Sequence, residues 1–364
     1  MRSMLNRNKK IKKKIKTALE SLPFGLGLNI TVPLAKFLLA VFDYRKLISN
    51  FRKKQFAKNG ARSIDFAIRD GITKATLVYD NFVSPPTYGD YLCVILLARY
   101  LIAHGIMINF IIVDSEFRQD WLSLTEIEKE TFVNEQVKLA EALLDSRHAK
   151  IHRLPWSAVQ EFIVGSSSGY IPFPRSINAR KHIYGYCFNV ASQLLHDKEP
   201  YLVDRVLFSC EEISQKVNIS PVDKKYITWA CRYSKKWSFS RNLSDKEFLS
   251  IHEQLKKKYP YHLIMIVSDD YGCDYFSQLS QKYNLNTIFT KKYSQSFLGD
   301  AALILKSDFF FQLRSGGIGI FPLFSAMPYE IISPLANEIM WSKSKVLSFQ
   351  NDSQLFLNKI KLSK

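Results

Sequence analysis

Cysteine is scarce and unpatterned. The 364-residue chain carries five, Cys93, Cys187, Cys210, Cys231 and Cys273. The set is odd and scattered, with no C-x-x-C spacing, which argues against a structural zinc site or a disulfide framework. Apolar neighbours mark these as reduced, buried thiols and point to the cytosol. The seven histidines form no H-E-x-x-H, so a catalytic zinc has no support and no cofactor is expected. The P-loop pattern G-x-x-x-x-G-K-[ST] is missing, which excludes a P-loop ATPase. A spanning helix needs roughly 20 clean apolar residues. The nearest run, Phe24 to Phe42, is broken by Asn29, Thr31, Pro33 and Lys36. No small-residue cleavage site follows a compact apolar core, so no signal peptide is expected. Nucleic acid is not an expected partner either, since no interleaved basic and aromatic motif or recognisable module occurs.

Acidic residues are also in short supply, with 33 Asp and Glu against 51 Lys and Arg, for a formal charge of +18. Such an excess favours anionic partners, whether nucleic acid, a lipid face or a phosphorylated ligand. Much of it lies early, at Arg2, Arg7, Lys9, Lys10, Lys12, Lys13, Lys14 and Lys16, and again at Arg45, Lys46, Arg52, Lys53, Lys54 and Lys58. Residues 1–60 therefore read as a basic amphipathic helical extension that docks on an anionic membrane at its inner face. An ordinary solvated tail followed by a packing helix explains the same residues, and both readings stand.

Hydrophobic residues at 47% and aromatics at 13% supply ample core, and the length exceeds what one core usually serves, so two domains are expected. A strand at Thr76–Tyr79, a loop Asp80–Gly89 with Pro85 and Pro86, a buried helix Tyr91–His104 stopped by Gly105, and an apolar strand Ile106–Val113 follow in order. Unbroken apolar strands alternating with helices suit a parallel sheet covered on both faces. A helix spans Thr125 to about Ser146, Gly165–Pro174 reads as a loop, and the polar stretch Asn218–Asp223 marks a boundary. The alternation resumes with strand Tyr226–Cys231, helix Asp245–Tyr259, strand Leu263–Val267 and helix Asp274–Tyr283. Short strands near Thr287 and Leu303, the segment Asp308–Leu313, an apolar helix Ile320–Met327 and a strand Glu330–Ile332 complete it. The expected fold is α/β with two Rossmann-like halves, 61–220 and 221–345, and a tail 346–364.

Ligands of open α/β sheets bind beyond the carboxyl ends of the strands, and four constellations fall there. Tyr88-Gly89-Asp90 opens the first helix. Asp90 there either caps the helix or serves as a general base toward an acceptor hydroxyl. Arg232, with Lys235 and Arg241, follows a strand and suits bidentate phosphate binding. A solvated basic loop is the plainer reading. Ser268-Asp269-Asp270 ends another strand, where it either contacts a nucleotide's ribose or base or forms a simple turn. Arg314-Ser315-Gly316-Gly317 lets backbone N–H groups approach phosphate. Asp114, Glu116 and Arg118 are acceptor-side candidates, or else a surface salt-bridge cluster.

The order of Arg232, then Val267-Ser268-Asp269-Asp270, then Asp308-Phe309-Phe310 with Ser315-Gly316 resembles the donor domain of fucosyltransferase-like glycosyltransferases of the GT-B fold. Gly89-Asp90 is similar to the Gly-Asp of heptosyltransferase-type members. The resemblance implies two Rossmann-like domains facing a cleft, with Arg232 on the donor diphosphate and Asp269 or Asp270 near the nucleotide. It also implies that Ser315 and Gly316 hold phosphate and that Asp90 deprotonates the acceptor. Tyr233 stands where that pattern has a second arginine, and Lys235 is the substitute cation. The function so implied is metal-independent transfer of a sugar, from a nucleotide sugar with a GDP-sugar favoured, to a glycan or lipid-linked hydroxyl. A non-catalytic basic α/β protein that binds anionic membrane or nucleic acid is the alternative reading.

Overall fold

The structure is a computed structural model that describes residues 71–84, 86–114, 116–117, 121, 123–165, 171–173, 206–233, 242–313 and 317–332. The basic extension, the C-terminal tail and Cys187 lie outside these residues, as do Arg118, Lys235, Arg241, Arg314, Ser315 and Gly316. All described residues belong to one compact unit.

Two all-parallel sheets form its frame. The first contains β1 (Lys74–Asp80), β2 (Met107–Val113), β3 (Ala149–Leu154) and β4 (Ile171–Phe173), in the order β3-β2-β1-β4. Its helices are α1 (Tyr88–Ala103), α2 (Glu126–Leu143) and α3 (Trp156–Gly165). A short α4 (Cys210–Ser214) follows. The second sheet contains β5 (Tyr226–Ala230), β6 (Leu263–Val267), β7 (Thr287–Phe289), β8 (Phe310–Leu313) and β9 (Tyr329–Ile332), ordered β7-β6-β5-β8-β9. Its helices are α5 (Asp245–Lys258), α6 (Asp270–Lys282), α7 (Phe297–Lys306) and the single turn α8 (Ile320–Leu323). In each sheet the first strand is central and the order reverses beside it, between β1 and β4 and between β5 and β8. Those are the switch points at which doubly wound sheets open a crevice.

Burial accounts for the strand composition. β1 and β2 turn Leu77, Tyr79, Phe110 and Ile112 toward α1 and α2, and Val78, Ile111 and Val113 toward Val159 of α3. β5 and β6 present Ile227, Trp229, Ile264 and Ile266 to Phe248, Ile251, Leu255 and Phe276 of α5 and α6. Both faces are covered, so the strands are continuously apolar. α1 is buried at every position from Tyr91 to Leu101, because it packs on the first sheet and also shares a core with Ile318, Ile320 and Phe321 beyond β8. A helix covered all round needs no polar stripe. Burying each such leucine or isoleucine contributes roughly 1.5–3 kcal/mol.

Several elements differ from the sequence expectations, and β3, α3 and α4 fall where none was foreseen. Leu303 lies in α7 rather than in a strand: Ser296 accepts the Gly299 N–H at 3.0 Å as the N-cap, and nearly the whole helix is buried. A short apolar run fits a buried helix as well as a strand. β4 pairs with β1 inside the Gly-, Ser- and Pro-rich stretch expected to be a loop. α6 starts at Asp270, four residues before the expected Asp274, because Asp269 caps it. α8 stops after Leu323, where the Ser325 hydroxyl turns back to the Pro322 carbonyl at 3.0 Å.

Candidate functional site

The turn leaving β1 is fixed at every step. The Asp80 carboxylate accepts the Phe82 N–H at 3.0 Å, and the Asp80 carbonyl accepts the N–H groups of Val83 at 3.1 Å and Ser84 at 3.0 Å. Buried Asn81 exchanges two amide hydrogen bonds of 3.2 Å with Gln136 of α2. The Trp121 indole N–H donates to the Ser84 carbonyl at 2.8 Å. The chain then enters α1 through Thr87, whose side chain makes no capping bond. Asp90 falls in the first turn, where the helix dipole favours a carboxylate. Its charge reaches the buried Tyr79 phenol, which burial first and then Asp90 hold well above the usual tyrosine pKa.

Gly89 faces Gly317, in a single 3-10 turn (Gly317–Gly319) that follows β8. A Cβ placed on Gly89 would come within 2.8 Å of the Gly317 Cα, so the two backbones meet with no room for a side chain on either. The Tyr88 ring is stacked between Phe132 of α2, centroids 4.4 Å apart, and Phe297 of α7 at 4.3 Å. Both of its faces are therefore covered, and the ring clasps the two sheets' helices rather than offering a platform to an acceptor. Burial raises its hydroxyl pKa far above the ordinary value.

On the second sheet, Arg232 lies two residues beyond the end of β5, at the switch beside β8. Just beyond the neighbouring β6 lies Ser268, whose hydroxyl donates to the Cys231 carbonyl at 2.9 Å. The Asp269 carboxylate caps α6 by accepting the Gly272 N–H at 2.8 Å. Desolvation raises the Asp269 pKa, and that capping bond and the Arg232 charge oppose the rise. Asp270 points outward, 3.9 Å from the Lys291 ammonium. Ser268 and Asp269 thus perform turn and cap chemistry, with Asp269 within the electrostatic reach of Arg232.

Lys291 and Asp300 were not singled out from sequence. Lys291 follows β7 and lies 3.4 Å from the carboxylate of Asp300, which is buried in the first turn of α7. Desolvation pushes the Asp300 pKa up to about 6, with Lys291 opposing it. The available signal was a single acid inside the apolar run Phe297–Lys306.

Of the acceptor-side trio, Asp114 and Glu116 are described and Arg118 is not. Asp114 is bound by Arg153, which also holds Glu130 at 2.5 and 2.7 Å and Asn134 at 3.1 Å. This ion-pair cluster takes in Asp114 of the trio and draws its other members, Arg153 and Glu130, from β3 and α2. Glu116 is exposed. Among the described residues no group of three or more His, Cys, Asp or Glu side chains is placed to hold a metal ion, and no helix is long and apolar enough to cross a membrane.

No protein-family model matches the chain, and no curated protein does. Among solved structures it is similar to the E. coli heptosyltransferase WaaC with ADP-2-deoxy-2-fluoro heptose, at 11% identity and a TM-score of 0.37 over 72% of this chain and 90% of that one. It is also similar to the UDP-GlcNAc 2-epimerase from Neisseria meningitidis bound to UDP-GlcNAc, at 11% identity and a TM-score of 0.37 over 79% of this chain and 92% of that one. Likeness at that level says nothing about chemistry, and the architecture of this chain rests on its own strand pairing.

Proposed function

We propose that this protein transfers a sugar from a nucleotide-sugar donor to an acceptor hydroxyl, with residues 61–220 on the acceptor side and 221–345 on the donor side in a GT-B-like arrangement. The approach of Gly89 to Gly317 carries the reading, since it sets the first turn of α1, with Asp90, against the turn that follows β8. In this reading the Asp90 carboxylate acts across that approach from the switch point of the second sheet, which holds Arg232.

In this scheme Asp90 takes the proton from the acceptor hydroxyl as its oxygen attacks the anomeric carbon, and the nucleoside diphosphate leaves. Arg232 stabilises the charge that develops on the leaving phosphate, aided by backbone N–H groups at Gly316 and Gly317 and by Arg314. Fixed donors aimed at developing charge are commonly the largest catalytic contribution, and here they act without an obligatory metal. Lys235 and Arg241 supply further positive charge, Asp269 and Asp270 lie toward the nucleoside, and a GDP-sugar is the favoured donor.

Asp90→Asn tests the assignment. A general base contributes typically 10²–10⁴-fold, so the variant should lose transfer on that scale while nucleotide affinity stays at the wild-type value. Parallel loss of transfer and nucleotide binding would make Asp90 a structural residue.

A further inference from the structure

Arg232 lies at the carboxyl end of the second sheet, and the amino end of that sheet carries a different surface. Its strands are all parallel, so the turns that lead into them share one rim. In spatial order these are 283–286 before β7, 259–262 before β6, 223–225 before β5 and 307–309 before β8. Tyr261 is 92% exposed, and Tyr283 on the neighbouring turn is 42% exposed. Isolated surface aromatics are ordinary, but these two are held out by fixed backbone. Lys256 donates to the Pro260 and His262 carbonyls at 2.9 and 3.3 Å, and the His262 ring lies 2.9 Å from the Asp308 carboxylate. The Leu263 N–H is bonded to the Lys225 carbonyl at 3.0 Å. After Tyr283 the chain turns through Asn284 at a φ of 50°, and the Leu285 N–H returns to the Ser280 carbonyl at 2.8 Å, a left-handed helix stop. Around the two rings stand Lys224, Lys225, Lys257, Lys282 and Lys306, all exposed. The last three belong to the final turns of α5, α6 and α7. The acids of these turns are Asp223 and Asp308, and His262 engages the second.

We infer that this rim docks on an anionic lipid bilayer. A tyrosine joins an apolar ring to a polar tip and settles at the depth of the headgroups. Each lysine near an anionic bilayer strengthens the attraction roughly fivefold. No arginine occurs in the four turns or in the helix ends that feed them. The rim therefore lacks the planar fork that grips single phosphates of a nucleic acid bidentately, whereas the field of a bilayer acts on point charge alone. The rim is at the end of β5 opposite Arg232, so docking leaves the carboxyl ends of the strands uncovered.

Co-sedimentation of the full chain with vesicles of phosphatidylcholine, and of phosphatidylcholine mixed with phosphatidylserine, tests the surface. The chain should bind the anionic vesicles and not the neutral ones. Lys257→Glu with Lys282→Glu should weaken that binding by more than about tenfold. Lys150→Glu with Lys216→Glu removes the same charge from exposed positions elsewhere and should stay near the wild type, which cancels any attraction exerted by residues 1–60. Tyr261→Ser with Tyr283→Ser should weaken binding severalfold at unchanged charge. Absence of binding to anionic vesicles, or equal loss in the two charge variants, overturns the inference. So does binding of single-stranded poly(U) that depends on Lys257 and Lys282 while vesicles are left unbound, since the surface would then belong to a nucleic acid.

Discussion

Glu330 on β9 is 2% exposed, and neither of its carboxylate oxygens has a hydrogen-bond partner. Desolvation lifts its pKa from 4.5 to about 8, with Lys258 pulling the other way. The folded protein therefore holds a proton there that the unfolded chain releases between about pH 4.5 and pH 8. Stability contributed by that proton is present below the lower value and declines as pH rises through the window. Glu330→Gln keeps the shape and removes the ionisation. It should melt near the wild type at pH 5 and be more stable at pH 8, by an amount on the order of 2–3 kcal/mol. A constant offset between the two proteins across that range would show that the carboxyl does not titrate with folding. At this scale the sequence singles out Arg232, Asp269 and Gly317 as candidates because each follows an apolar run. Lys291 and Asp300 escaped because their pairing joins the turn after β7 to a helix, a contact that spacing does not encode.

The approach of α1 to the turn after β8 is a property of two elements, and glycine at both contact points makes it possible. A methyl group on Gly317 would land on the backbone of Gly89 and Tyr88, which offers no flexible end to move aside. Gly317→Ala should therefore force the elements apart and cost about 1–3 kcal/mol, as overpacking typically does. The expected result is a lowered melting temperature together with weakened nucleotide binding. An unchanged melting temperature would mean that the contact is not tight in solution. Elements whose signal was local could be read in advance: α1 from its all-apolar stretch ending at Gly105, and β2, β5 and β6 from continuous apolar runs. β4 could not, since its three residues owe their extended form to pairing with β1. α7 could not be told from a strand at Leu303 because burial on all sides erases helical periodicity.

At the level of the whole molecule, the two parallel sheets meet at one junction, where the first turn of α1 touches the turn after β8 and the start of α7, through Gly89 with Gly317 and Tyr88 with Phe297. Alternating strands and helices pointed to a parallel sheet in each half, but β3 and β4 of the first were not foretold. The junction was not legible, because a glycine's neighbour across 228 positions of sequence follows only from the completed fold. The most direct measurement is calorimetric titration of the full chain with GDP, UDP, ADP and CMP, repeated with Arg232→Ala. One nucleotide should bind, and the variant should bind it at least about tenfold more weakly, since a charge-assisted contact contributes roughly 1.5–3 kcal/mol. Binding of none of the four, or equal binding by Arg232→Ala, would contradict a donor site at the end of β5.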